Sequence, residues 1–158
     1  MIAIIDYDAG NTFNVQKAFA YIGLDAVLTA DPEVILNADG VLLPGVGAYA
    51  SAVAVLKERG LVDVLHEVVK REIPLLGICL GMQLLFEESE EYGPTPGLGL
   101  IPGKVKEIPR DLGLPVPHMG WNKNVVHHQD SPFSNVDDQY TYFVHSYYVD
   151  TDPEYIIS

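Results

Sequence analysis

Residues 73–83 read IPLLGICLGMQ, and this stretch carries the strongest indication of both fold and chemistry. The apolar run at 74–78 predicts a buried strand, GICLG at 77–81 predicts a sharp turn, and residues 80–90 have the spacing of a helix. A strand, then G-x-C-x-G, then a helix is the nucleophile-elbow pattern with cysteine in place of serine. Because such a turn lifts its central residue above the carboxyl edge of the sheet, Cys79 is the candidate nucleophile.

The flanks of Cys79 supply the rest of the elbow chemistry. Gly77 and Gly81 remove side chains that would clash in a tight, strained turn. The following helix begins with partial positive charge, which favours a thiolate, and the Leu80 N–H faces the space where an oxyanion would form. The alternative is a buried cysteine that acts as a small apolar side chain, as most lone cysteines do. The strand before Cys79 and the helix after it favour the nucleophile.

A second glycine-rich turn, PGVG at 44–47, follows the predicted strand 40–43. If both strands belong to one parallel sheet, this loop ends at the same edge as Cys79. Its glycines would let backbone N–H groups approach a ligand or turn toward an oxyanion. An ordinary strand-to-helix turn would have the same composition. The loop is therefore a candidate second wall of the site only because an elbow lies beside it.

Outward from these turns, short apolar runs alternate with helical patterns. We predict strands at 2–6, 26–29, 40–43 and 74–78, and helices at 12–22, 48–59, 61–72 and 80–90. This alternation indicates an α/β fold with an open, mostly parallel sheet and helices on both faces. After Gly93 the texture changes, and the runs at 105–108, 122–127 and 140–149 predict antiparallel strands. The 158 residues fit a single domain.

Composition narrows the function classes. Twenty-two acidic against nine basic residues give a net charge of −13, which disfavours nucleic acids and anionic membranes as partners. The dense acidic run FEESEEYG at 86–93 predicts a solvated helix end and loop. A single cysteine suits a reducing cytosol, and no apolar run is long enough to span a membrane. Without a metal cluster, phosphate loop or nucleotide fingerprint, we expect no cofactor.

The motifs together resemble a known family. GICLGMQ (77–83), PGVG (44–47) and HSY (145–147) match the class I, triad-type glutamine amidotransferases. PHMGWN (117–122), LFEESEE (85–91) and DYDAGN (6–11) narrow the resemblance to the HisH-type glutaminase branch, which works in histidine biosynthesis. The resemblance covers essentially the whole chain, and PHMGWN is its most specific part. It implies a flavodoxin-like α/β fold.

The resemblance implies a mechanism and a set of site residues. Cys79 would attack the side-chain amide of L-glutamine, release ammonia, and leave a γ-glutamyl thioester that water hydrolyses to glutamate. The oxyanion hole would use the N–H of Leu80 with one from the loop. The implied oxyanion donors of the loop are Val46 and Gly47, and the implied substrate-binding residues are Gly45, Gln83, Ser146 and Tyr147.

The resemblance also implies a partner, a HisF-type (β/α)₈ cyclase subunit that receives the ammonia and makes imidazole glycerol phosphate. The residues expected to lie toward it are Asn11, Met119, Gly120, Trp121 and Asn122. Gln83 as a solvated helix residue and Trp121 as a strand-face aromatic are the simpler alternatives. Other amidotransferases, serving anthranilate, guanylate or pyridoxal phosphate synthesis, share the elbow and the glycine loop, but PHMGWN argues against them. A redox protein or hydrolase with the same elbow leaves Gln83 and HSY unexplained.

The sequence departs from the family at the catalytic base. In the family, a histidine in an F-H-P-E-K-S motif near the C-terminus takes the thiol proton and the glutamate orients it. None of the five histidines lies in such a motif; they are His66, His118, His127, His128 and His145. His127 and His128 would point to opposite faces of a strand, and the resemblance makes His145 a pocket residue. Residues 154–158 resemble the start of a strand, so we expect either a longer natural chain or a domain that docks on a partner without catalysis.

Overall fold

A computed structural model describes all residues, Met1–Ser158, and its centre is a four-stranded parallel sheet. The strands pair in the order β2-β1-β3-β4. Their bounds are β1 Ile2–Ile5, β2 Ala26–Thr29, β3 Gly40–Leu43 and β4 Leu75–Gly77. All four predicted strands are confirmed, and β2 and β3 have the predicted bounds. Because all four strands run the same way, the loops after β3 and β4 emerge at one edge.

Four helices cover the sheet, and three of them occupy the predicted segments. They are α1 Thr12–Tyr21, α2 Pro32–Leu36, α3 Tyr49–Glu58 and α4 Leu61–Lys70. The short α2 was not predicted, although Asp31 caps it by accepting from the Glu33 N–H and Pro32 opens its first turn. Helices α3 and α4 bury their apolar stripes, whereas α1 buries no residue completely. None of the helices combines the length and apolarity needed to cross a membrane.

The core lies between the sheet and helices α3 and α4. Ile5, Leu43, Leu56 and Leu65 are fully buried within a cluster of 21 residues. Burying one such side chain contributes about 1.5–3 kcal/mol, so this cluster is the main source of stability. The core therefore holds β3 and β4 in place beneath the two glycine-rich turns.

The elbow helix is much shorter than the sequence predicts. Helix α5 spans only Leu80–Gln83, and strand β5, Phe86–Ser89, follows it, so the helix predicted for 80–90 is wrong. The solvated run predicted at 86–93 is wrong in its first half, because Phe86 and Ser89 are buried. Glu88 forms an ion pair with Lys104 of the neighbouring strand at 2.6 Å, so pairing with that strand overrides the local helical spacing.

Strand β5 belongs to a second, mixed sheet with the order β10-β7-β5-β6. Its other strands are β6 Thr95–Pro96, β7 Ile101–Glu107 and β10 Tyr147–Asp150. The strand predicted at 105–108 thus begins earlier, and it pairs parallel with β5 as well as antiparallel with β10. This sheet extends the fold beyond the parallel core, as expected for the C-terminal half.

A two-stranded antiparallel ribbon completes the fold. It consists of β8 His118–Lys123 and β9 Tyr140–His145. The strand predicted at 122–127 therefore lies four residues earlier, and the run predicted at 140–149 is two strands broken at Ser146. The break arises where the Ser146 carbonyl accepts from the Ile108 N–H at 2.9 Å. Residues 154–158 form no strand, because Pro153–Tyr155 is a 3₁₀ turn.

Candidate active site

Cys79 occupies a strained turn between β4 and α5. Its backbone has φ 56° and ψ −119°, a region that costs a non-glycine residue about 1–3 kcal/mol. The cysteine is exposed and is a free thiol. The predicted elbow geometry is therefore present, and the buried-cysteine alternative is wrong. Helix α5 is a single turn, so its contribution to the local field is confined to the first N–H groups.

The elbow leaves no room for side chains on its flanks. A β-carbon at Gly81 would overlap the Leu43 carbonyl oxygen and lie 2.8 Å from the Leu43 carbonyl carbon. A β-carbon at Gly77 would lie 2.6 Å from the Met82 α-carbon. These obstacles are backbone atoms, which cannot rotate away. The two glycines of the motif are thus required by close approach.

The PGVG loop packs directly on the elbow. A β-carbon at Gly45 would lie 2.6 Å from the Gly81 backbone nitrogen and 2.9 Å from the Leu80 β-carbon. Pro44 and Gly45 are buried, whereas Val46 and Gly47 are exposed. The Ile78 N–H donates to the Leu43 carbonyl at 3.0 Å and ties the two turns together. The loop is therefore a wall of the space in front of Cys79, as its position in the sequence predicted.

The three residues assigned to an oxyanion hole lie on the elbow and on the exposed part of the loop. Leu80 is the first residue of α5, so its N–H has no acceptor within the helix. Gly47 has φ +97°, and no atom lies within 4 Å of the place that a β-carbon would take. Val46 precedes it at the same exposed edge. These are the residues assigned to an oxyanion hole by sequence resemblance.

Tyr7 is a site residue that sequence reasoning missed. Its side chain is fully buried, and its hydroxyl donates to the Pro44 carbonyl at 2.6 Å. Burial first, and the negative charge of a Cys79 thiolate second, raise the pKa of Tyr7 to about 12. Tyr7 therefore holds the loop that faces Cys79. The signal was its place in DYDAGN, directly after β1 at the same sheet edge.

Replacing Tyr7 by phenylalanine is expected to destabilise the fold by about 1–3 kcal/mol, because the buried Pro44 carbonyl loses its partner. Urea unfolding with an unchanged denaturant slope measures this difference. Tyr21→Phe is the matched control, since the Tyr21 side chain is 92% exposed. Equal stabilities of the two variants would show that the Tyr7 hydrogen bond does not stabilise the loop.

Gln83 lies one turn along from Cys79 and reaches the C-terminal half of the chain. Its side-chain Nε2 donates to the Tyr147 carbonyl at 3.4 Å. Tyr147 and Ser146 line a cavity of about 480 Å³, and Cys79 is not among its lining residues. The other lining residues are Glu90, Tyr92, Glu107 and Arg110. Gln83 is thus the direct contact between the elbow helix and the residues assigned to glutamine binding.

Glu91 is a second residue that the sequence did not single out. Its carboxylate accepts from the Tyr49 N–H at 2.6 Å, at the N-terminus of α3, directly after the glycine loop. Ala48, the residue before this helix, provides no side-chain cap, so Glu91 supplies one from a distant segment. Its signal was hidden because a dense acidic run predicts a solvated surface.

No histidine in the chain has the environment of a free general base at this site. His66 is exposed on α4, and His127 and His128 lie beyond the ribbon strand β8. Both ring nitrogens of His145 are engaged, Nδ1 with the Tyr147 carbonyl and Nε2 with His118, each at 2.9 Å. No group of three potential metal ligands occurs.

The residues assigned to a partner surface lie mainly on the ribbon. Met119 and Trp121 are 60% and 68% exposed, and they share one face with Val144 and Tyr142, their partners across the ladder. Gly120 and Asn122 lie on the opposite face. Asn11 lies apart from the ribbon and caps α1 by accepting from the Asn14 N–H at 3.3 Å.

Comparison with known sequences gives a consistent result. The model of the family "Glutamine amidotransferase class-I" matches residues 3–157. The chain is 58% identical over 148 residues to "Imidazole glycerol phosphate synthase subunit HisH" of Lactiplantibacillus plantarum, covering 94% of this chain and 71% of that protein. It is 49% identical over 158 residues to the protein of the same name from Listeria monocytogenes, covering 100% and 76%.

Solved structures share the fold at low sequence identity. A structure described as a glutamine amidotransferase superposes with a TM-score of 0.73 at 17% identity and covers 97% of this chain and 76% of that one. The structure of PurLQS from Thermotoga maritima gives a TM-score of 0.64 at 17% identity, with 97% and 70% covered. At this identity the similarity concerns the fold alone.

Proposed function

The chain belongs to the class I glutamine amidotransferases, on their HisH branch, and on that premise we propose that it is the glutaminase subunit of an imidazole glycerol phosphate synthase. The observation that carries the proposal is the exposed Cys79 on a strained turn, packed against the Pro44–Gly45 backbone. Identity of 49–58% to proteins of that name supports this role over a role as the glutaminase subunit of another amidotransferase.

The chemistry is acyl transfer to sulfur. The Cys79 sulfur attacks the side-chain amide carbon of glutamine, the C–N bond breaks, and ammonia leaves with the proton of the thiol. N–H groups of Leu80 and of Val46 or Gly47 stabilise the oxyanion that forms during attack. Water then cleaves the thioester, which releases glutamate and restores the thiol. No step requires a metal or a cofactor in this scheme.

Glutamine binding uses the residues around the elbow. Gly45 lets the loop backbone pack against the elbow because it carries no side chain, and Gln83 extends from the elbow helix. Ser146 and Tyr147 hold the amino and carboxylate groups, largely through their backbone. The cavity that Ser146 and Tyr147 line supports this role.

Ammonia passes to a HisF-type (β/α)₈ cyclase partner. The apolar face of the ribbon supports a docking role, since Met119 and Trp121 are large, apolar and exposed. The resemblance also assigns Gly120, Asn122 and Asn11 to this contact, but Gly120 and Asn122 lie on the other face of the ribbon and Asn11 lies at the start of α1. The reducing cytosol is the expected compartment, because an exposed free cysteine must stay reduced to act.

A non-catalytic docking subunit is the second candidate. The observations that favour it are the engaged ring of His145 and the exposed apolar face of the ribbon, neither of which requires chemistry at Cys79. Both candidates predict binding to the cyclase, and only the first predicts chemistry at Cys79.

We expect Cys79 to form a covalent adduct with a chloroketone analogue of L-glutamine, because the elbow exposes the sulfur and Gln83 of the elbow helix contacts the main chain of Tyr147. Peptide mass spectrometry locates the adduct, and excess L-glutamine is expected to slow its formation. Cys79→Ser is the control and is expected to remain unmodified. A folded chain whose Cys79 reacts with iodoacetamide but not with the analogue would contradict glutamine recognition.

A further inference from the structure

We propose that His118 is a positioning residue for glutamine hydrolysis, acting through His145 on the main chain of Tyr147. The inference deepens the proposed function and rests on it, because Tyr147 is part of the proposed glutamine pocket. His118 lies on β8, outside that pocket, and directly opposite His145 in the ladder. Its effect on substrate therefore passes through a second residue.

Three contacts connect the ribbon to the pocket. His145 Nδ1 lies 2.9 Å from the Tyr147 carbonyl oxygen, and His145 Nε2 lies 2.9 Å from His118 Nδ1. His118 Nε2 lies 3.2 Å from the Asn122 side-chain oxygen. All three distances are within hydrogen-bond range, so a continuous chain of contacts joins Asn122 to Tyr147.

The number of protons in this series of three contacts is constrained at both ends. The Tyr147 carbonyl only accepts, so Nδ1 of His145 must carry a proton. With the Asn122 oxygen accepting from Nε2 of His118, two neutral rings have no proton left for the central contact. All three contacts are hydrogen bonds when the two rings share one further proton, or when the Asn122 amide turns and donates to His118. With both rings neutral, only His118 can donate to His145, and it does so only when the Asn122 amide donates to His118 Nε2.

Packing fixes both rings in this arrangement. The His118 ring stacks on Phe143 with centroids 5.4 Å apart, and the His145 ring meets Phe143 at 5.9 Å. Both histidines are half-buried on the ribbon face opposite Met119 and Trp121. A movement of β8 would therefore displace the His118 ring and, through it, the His145 ring.

The carbonyl at the end of the chain is shared with the elbow. Tyr147 O accepts from Gln83 Nε2 as well as from His145. It is thus held from two sides, by the helix that follows Cys79 and by the ribbon. Losing the ribbon side leaves the Tyr147 carbonyl with only the 3.4 Å contact to Gln83, while the Ile108 N–H still holds the neighbouring Ser146 carbonyl. Substrate affinity should suffer more than the reactivity of the sulfur.

The test separates binding of the chloroketone analogue from the rate of its reaction. His118→Ala is expected to raise the inhibition constant of the analogue by about fivefold, the loss expected for one hydrogen bond. The maximal rate of adduct formation and the iodoacetamide rate are expected to stay unchanged. His118→Asn, whose amide can occupy the position of Nδ1, is expected to restore much of the affinity. His66→Ala, on an exposed face of α4, is the matched control.

A spectroscopic measurement tests the contact without any reaction. Long-range ¹H–¹⁵N NMR of the wild-type protein is expected to show His145 protonated at Nδ1, and this signature is expected to persist in His118→Asn. A bare Nδ1 on His145 would overturn the inference, whether or not the variants fold. So would an unchanged inhibition constant in folded His118→Ala. Failure of the wild-type protein to react with the analogue would instead count against the proposed function.

Discussion

Replacing Gly81 by alanine is expected to destabilise the protein by about 3 kcal/mol or more, the largest effect of any single methyl group in the elbow. The added β-carbon would overlap the Leu43 carbonyl oxygen and lie 3.1 Å from the Pro44 carbonyl carbon. Both obstacles are backbone atoms of β3 and its loop, so relief requires the elbow and the loop to separate. Because domains of this size are stable by about 5–15 kcal/mol, such a loss is readily measured in urea.

Gly23→Ala is the control for this substitution. Gly23 has φ +77°, so alanine there has an unfavourable left-handed backbone that Gly81 does not have, but nothing lies within 4 Å of its β-carbon. Its cost is expected to be about 1–2 kcal/mol, from conformation alone. If Gly81→Ala costs no more than Gly23→Ala, then β3 and α5 are not in the close contact described above.

The second large effect concerns turnover. The 158-residue chain, even with a HisF-type partner, is expected to produce glutamate about 10⁴-fold to 10⁶-fold more slowly than a relative with a complete triad. The reason is that no F-H-P-E motif lies in the chain and both ring nitrogens of His145 are engaged. A coupled assay of glutamate release measures the rate.

Cys79→Ala provides the baseline for that assay, and covalent labelling of Cys79 provides the check that the elbow is folded. The two measurements separate loss of the base from loss of the fold. Turnover within tenfold of a complete relative would sink the prediction and would require another group in these residues to accept the thiol proton. Turnover equal to the Cys79→Ala baseline, with labelling intact, is the expected result.

Local pattern sufficed for the parallel core. The strands at 26–29 and 40–43 have the predicted bounds because both are short apolar runs closed by turn residues. The elbow was also predictable, since G-x-C-x-G between a strand and a helix permits few geometries. The packing of PGVG on the elbow followed from the parallel topology, which brings the ends of β3 and β4 to one edge.

Elements defined by distant partners were not predictable. FEES has helical spacing, and its pairing with Ile101–Glu107 and with Thr95–Pro96 makes it a strand. Tyr7, Glu91 and the His118–His145 contact join segments 37, 42 and 27 residues apart in the chain. Nothing in the local sequence of any one segment specifies such a contact. The roles of the predicted site residues remain predictions, because these roles depend on how a substrate binds.

The pairing of His118 with His145 limits where the ribbon can accept insertions and deletions. Side chains on a strand alternate between faces, so a slip of one residue would exchange the apolar face of the ribbon with its histidine face. The register closes where the Asn124 N–H donates to the Gln139 carbonyl at 2.8 Å. The chain forms a loop between Asn124 and Gln139. Insertions and deletions in this loop therefore leave both faces of the ribbon unchanged. Within either strand, a single-codon deletion would disturb the apolar face and the histidine face together.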